Sequence, residues 1–148
     1  MPAPTYDWPA EAPTAAARLR QWLARMLPAD SSIDVVLGNA NSSQRLDTCQ
    51  LDVLGRLFGE AAAKIAVTSI KGAIGEFGAA GALTAVAGCL ALHHQTVPPL
   101  CHLRQPLSNA PFQFVHQTAR PQPIRRAMLL SMARGGATIA LSLRQAES

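Results

Sequence analysis

Apolar residues recur at spacings of three and four from Ala15 through Leu19, Trp22, Leu23 and Met26 to Leu27. With Thr14 placed to cap and Pro28 to stop, this pattern predicts an amphipathic helix. After the turn-like PADSS, the β-branched run IDVVLG, Ile33 to Gly38, predicts a short buried strand, and NANSSQRLD reads as a polar loop. Asp47 with Gln50 three places on has the form of a capping box, and Leu51, Leu54, Leu57 and Phe58 then line one helical face until Gly59. Ile65 to Ser69 predicts another compact strand, and Ala79 to His93 a small-residue helix. From Pro98 to Pro123 the periodicity gives way to proline, histidine and glutamine, which reads as a surface excursion. Arg126 to Met132 and Thr138 to Leu143 close the chain as a hairpin turning near Gly135 and Gly136.

Helices and strands in this order predict an α/β layer structure with a mixed sheet. At 148 residues, 49% of them apolar, the chain has the size of one domain, with residues 1–13 an irregular N-terminal segment and 14–148 the domain. The opening MPAPTYDWP has neither the basic nor the apolar region of a secretory signal, so a cytoplasmic location is expected. Ala79 to Leu92 is apolar over about 14 residues, where a membrane span needs roughly 20. Cys49, Cys89 and Cys101 are odd in number and without CxxC spacing, as reduced thiols are, and no metal is implied. Adjacent His93 and His94 diverge by about 100° on a helix and read as a helix-end surface pair. The net charge of +4, drawn from Arg18, Arg20 and Arg25 and from Arg120, Arg125 and Arg126, suits acidic partners. With 5% aromatics and no binding motif it reads as a solvated basic face and not as a nucleic-acid site.

One stretch asks for chemistry: VTSIKGAIGEFGAAGAL, Val67 to Leu83. A phosphate loop places its lysine after the glycines with a hydroxyl beside it, whereas Lys71 precedes Gly75 and Gly78. The gaps in GAIGEFG also fail the dinucleotide pattern, so no cofactor is predicted. The longer run VTSIKGAIGEFGAAGAL…CLALHHQTVPP resembles the C-terminal half of β-ketoacyl synthases, the condensing enzymes of fatty-acid and polyketide assembly. There a strand and lysine lead to Gly-His, then GAAG and a helix ending in a PP turn. IDVVLGNANSSQRLD is similar to the segment carrying that family's His-Gly-Thr-x-Thr loop, LDVLGRLFG to the helix after it, and MLLSMARGGATIALSL to its closing hairpin. The resemblance implies a thiolase-like C-terminal half, a mixed sheet with helices on its faces.

It also implies a site that has changed. The family's nucleophilic cysteine belongs to its N-terminal half, which this sequence does not match, and none of the three cysteines here falls on its position. The first family histidine falls on Asn39, which can donate a hydrogen bond but carries no proton or charge. The second falls on Glu76, which when ionised only accepts and opposes a developing oxyanion by roughly 4 kcal/mol at about 4 Å and an ε of about 20. Burial could keep Glu76 protonated and a donor, or Lys71 could hold it ionised and close the loop as an ion pair. Arg134 stands where the family has a phenylalanine gating the acyl pocket, and could plug that pocket, pair with Glu76 or face solvent.

In the resemblance, a central strand opens this half just before the first helix. Here that place is held by a proline-rich segment unsuited to a ladder, which predicts a sheet with a gap at its centre and a chain that aggregates or requires a partner. The leading expectation is a degenerate ketosynthase subunit similar to chain-length factors: a pseudoenzyme unable to catalyse decarboxylative condensation alone, acting as a heterodimer with a ketosynthase N-terminal half or full subunit, with acyl-carrier protein as a further partner. The alternatives are the C-terminal half of a split synthase or acyltransferase whose cysteine lies on another chain, and a non-functional fragment.

Overall fold

The computed structural model describes residues 17, 18, 20, 21, 24–27, 32–40, 42–106, 110–132 and 138–146. In chain order the elements are β1 (Val35–Leu37), α1 (Gln44–Phe58) running into a 3-10 turn (Gly59–Lys64), β2 (Ala66–Thr68), α2 (Lys71–Ile74), α3 (Ala80–His94), β3 (Thr96–Val97), β4 (Gln113–Phe114), β5 (Arg120–Pro121), β6 (Arg126–Met132) and β7 (Thr138–Arg144). Ahead of them, the described residues between Ala17 and Met26 are helical, with Arg18, Arg20 and Arg25 exposed, and Leu27 packs against the core.

Five strands form one sheet in the order β4-β2-β1-β6-β7, and β3 with β5 forms a small antiparallel pair. β1 pairs in parallel with β2 on one side and β6 on the other, and β7 returns antiparallel to β6. Among the described strands the predicted gap does not appear at the centre of the sheet: β1 itself lies there, bonded on both edges. The residues of the proline-rich start lie outside the described ones.

Alternation along β1 assigns the two layers, because successive side chains leave opposite faces of a strand. Val36 joins Val53 and Leu54 of α1 and Met128 and Leu130 of β6 in one core. Val35 and Leu37 join Ala91 and Leu92 of α3 and Ala127 and Leu129 of β6 in the other. All three β1 residues are buried, as befits a parallel strand covered by helices on both sides. α3 approaches closely through Gly88, where a Cβ would lie 3.0 Å from the Leu129 and Leu143 methyls. No described helix is long and apolar enough to cross a membrane.

Two local expectations change. α1 begins at Gln44, with Ser43 in extended conformation as its cap residue, so Asp47 sits in the first turn, where it favours the positive end of the helix dipole, and not at a capping box. The Pro98–Pro123 excursion contributes β4 and β5, two-residue strands imposed by their partners β2 and β3. Gly59 ends α1 as expected, with a φ of 54° open to glycine, and β6 and β7 form the closing hairpin. Its turn, including Arg134, Gly135 and Gly136, lies outside the described residues.

Candidate functional site

Because β1 and β2 are parallel neighbours, the residues just past their ends meet at one edge of the sheet, where Gly38 N–H donates to Thr68 O at 2.8 Å. β1 delivers Asn39 and β2 leads through Ser69 to Lys71 at the start of α2. Gly75, at a φ of 82°, turns the chain after this single helical turn, and Glu76 comes back to the lysine.

Lys71 is the hub. Its Nζ donates to Asn39 Oδ1 at 2.5 Å and to Glu76 Oε1 at 2.7 Å. The lysine side chain is 5% exposed and the glutamate side chain 49%, so a buried cation is held by a carboxylate that reaches water. Asn39 is tied down further: Nδ2 donates to Met132 O at 2.8 Å, the backbone N–H donates to Gln50 Oε1 at 2.7 Å, and Ser131 Oγ lies 3.4 Å from Oδ1. Lys71 N–H in turn donates to Ser69 Oγ, whose hydroxyl bonds Ala40 O.

The sequence singled out Asn39, Lys71 and Glu76, and the fold brings all three into one hydrogen-bonded cluster; of the two fates weighed for Glu76, the ion pair with Lys71 is the one found. Gln50, buried at 3% exposure, was missed as a site residue. Its spacing from Asp47 drew attention to a helix cap, while its amide reaches back to β1. His93 and His94 sit exposed at the end of α3, their rings edge to face at 4.8 Å.

An open groove of about 820 Å³ runs from Asn39, Lys71 and Glu76 along α3 and β7, walled by Phe77, Leu129 and Leu141 among others. None of the three free thiols lines it. Burial, with Asp52 as a smaller contributor, pushes the Cys49 thiol upward and so away from the nucleophilic thiolate. Among the described residues no group of three or more metal-ligating side chains gathers. Chemically, the cluster offers one ammonium bonded to two acceptors, a half-exposed carboxylate and no imidazole, so it can orient a polar group.

A family model described as "Beta-ketoacyl synthase, C-terminal domain" matches residues 4–104. Over 116 residues the chain is 34% identical to 3-oxoacyl-[acyl-carrier-protein] synthase 2 of Rhizobium meliloti (strain 1021), covering 78% of this chain and 27% of that protein. The fold matches a type II polyketide synthase acyl-carrier protein in complex with its ketosynthase, with a TM-score of 0.83 at 23% identity over 97% of this chain and 35% of that one. It also matches the ishigamide ketosynthase/chain length factor, with a TM-score of 0.81 at 20% identity over 98% of this chain and 37% of that one. The chain spans about a quarter of the length of the curated relatives it matches. A match across more than half of its residues, on a sheet of the corresponding fold, places the chain in the family of beta-ketoacyl synthase C-terminal domains.

Proposed function

We propose that the chain is a ketosynthase-like subunit of fatty-acid or polyketide biosynthesis that does not carry out decarboxylative condensation alone and acts with a partner synthase subunit. One observation carries the reading: Lys71 Nζ is bonded to both Asn39 and Glu76, the positions where the resemblance puts the family's two histidines. Condensation needs donors aimed at the thioester oxygen as carbon dioxide leaves. In this cluster the amide of Asn39 points to Met132 O and Glu76 turns an acceptor to the groove, so the charge developing there meets no free donor pair.

The apolar surface supports a partner. Leu83, Val86 and Leu90, which share one face of α3, and Phe77 ahead of it, which lines the groove, are each 41% exposed or more. Contiguous apolar area of this kind marks interaction surfaces. A ketosynthase subunit, as in the ketosynthase/chain length factor of similar fold, is the partner proposed.

The test is release of labelled carbon dioxide from malonyl-acyl-carrier protein by the full chain, alone and mixed with a nucleophile-bearing ketosynthase subunit. The expected result is no release by the chain alone and co-elution with the subunit. Release by the chain alone overturns the catalytic part, and absence of co-elution overturns the partner part. The apolar groove favours one second reading, a split acyltransferase whose cysteine lies on the partner. An acyl group found by mass spectrometry on the partner's cysteine only when this chain is present would select it.

A further inference from the structure

Lys71 and Gln50 each carry a donor that the cluster around Asn39 leaves over. An ammonium has three N–H groups, and Lys71 Nζ uses two of them, on Asn39 Oδ1 and Glu76 Oε1. Among the described residues no third acceptor reaches it. Gln50 turns its Oε1 to the Asn39 N–H, and because a backbone donor requires an acceptor there, the orientation of the amide is fixed. Its Nε2 rests against Gly38, where a Cβ would stand 2.1 Å away, and meets no acceptor among the described residues. Both residues are more than nine-tenths buried, at 7% and 3% exposure. Buried donors in native proteins are nearly always paired with protein, water or ligand, so two left over beside one another ask for an acceptor from outside the chain.

Both side chains line a second cavity, of about 490 Å³, bounded by α1, the end of β2 and the loop that follows β3. It is distinct from the groove: Asn39 and Glu76 line the groove alone, and Lys71 is the one described residue common to the two. Its size is that of a small-molecule site. Leu51, Val67, Leu103 and Phe114 supply apolar wall. Among its lining residues Lys71 and Arg104 are cationic, and Asp47, which has a partner of its own, is the one carboxylate. Buried donors, an excess of cationic side chains and apolar wall together describe a receptor for an anion with a hydrocarbon tail.

We propose that this cavity binds a small monocarboxylate with a short hydrocarbon tail, its head accepting from Lys71 Nζ and Gln50 Nε2 and its tail against Leu51, Val67, Leu103 and Phe114. Two donors answer the two oxygens of a carboxylate, whereas a phosphate brings more oxygens and a second charge than they can hold. The ligand shares the Lys71 ammonium with Glu76 and needs no place in the groove, so the site goes beyond the functional reading and does not rest on it.

Two thiols of the chain report on occupancy. Cys101 lines the cavity and is partly exposed, while Cys89 is exposed on α3 and lines neither the cavity nor the groove. The experiment follows alkylation of both by iodoacetamide, by peptide mass spectrometry of the full chain, as hexanoate is added to ~20 mM, above the roughly millimolar affinity expected of about eight heavy atoms. Hexanoate is expected to slow Cys101 by about threefold or more and leave Cys89 unchanged, and hexan-1-ol, with the tail but no charge, to protect neither. Gln50→Glu keeps an acceptor for the Asn39 N–H but replaces the left-over donor with a negative charge, and should raise the half-protecting concentration by about tenfold or more at unchanged circular dichroism. Leu103→Trp, which fills the apolar wall, should abolish protection. The proposal is overturned by an unprotected Cys101 at ~20 mM hexanoate, by equal protection from hexan-1-ol, by equal slowing of Cys89, or by undiminished protection in Gln50→Glu.

Discussion

Replacing Glu76 with Gln keeps a side chain that can accept from Lys71 but removes its charge, which isolates the electrostatic part of the pair. At 2.7 Å two unit charges attract by about 6 kcal/mol at an effective dielectric of about 20 and by about 1.5 kcal/mol in water. With the carboxylate half-exposed, solvent screening brings the expected coupling near the lower limit, about 2 kcal/mol. Glu76→Gln alone should cost roughly that, because it leaves a buried ammonium held only by neutral acceptors. For a chain of this size this is a fall in Tm of about 4–8 °C. Lys71→Met relieves the cation, so Glu76→Gln made in that background should cost little. The assay is urea unfolding of the wild type, both single variants and the double variant, in low salt and in about 1 M NaCl, where the coupling should shrink by about half. A coupling below about 0.5 kcal/mol would refute the view that Glu76 holds Lys71.

Gly38→Ala puts a Cβ 2.1 Å from Gln50 Nε2, and since the glutamine is buried it must give up its bond to Asn39 N–H; a loss of about 2–4 kcal/mol by urea unfolding is expected, largely relieved by adding Gln50→Ala. Asp34 Oδ2 accepts from the backbone N–H groups of Arg125 and Arg126 at 2.7 and 2.9 Å, so Asp34→Ala should lower the urea midpoint by an amount equal to about 2 kcal/mol. The Cys49 thiol, pushed above its ordinary 9.0, holds its proton more tightly folded than unfolded. Its contribution to stability is complete below about pH 9 and is lost as pH rises through the folded-state value, so the decline of the urea midpoint above pH 9 should be smaller in Cys49→Ala.

The sequence carried the elements better than their arrangement. VVL and AVT are short, apolar and bracketed by turn residues, and Leu54 and Leu57 keep helical spacing; such signals are local. Which strand lies at the centre is set by pairing between residues 31 and 92 positions apart, such as Val35 with Ala66 and with Ala127, and no local pattern records it. β4 was hidden for the same reason: Gln113 and Phe114 are extended because β2 offers them an edge. At the site, Lys71 and Glu76 are five residues apart with two glycines, Gly72 and Gly75, between them, so their meeting could be anticipated, whereas Gln50 reaches Asn39 only because α1 packs back across β1.

The central claim is that Lys71 ties up the two positions at which condensation needs its donors. The most direct measurement is the condensation rate of a chimaera in which this chain replaces the matching region of an active ketosynthase, with and without Asn39→His and Glu76→His. The account predicts that the chimaera still takes an acyl group on its cysteine, that condensation falls by about 10²-fold or more, and that the two histidines together restore much of it. Condensation at the parent rate with Asn39 and Glu76 in place would contradict it.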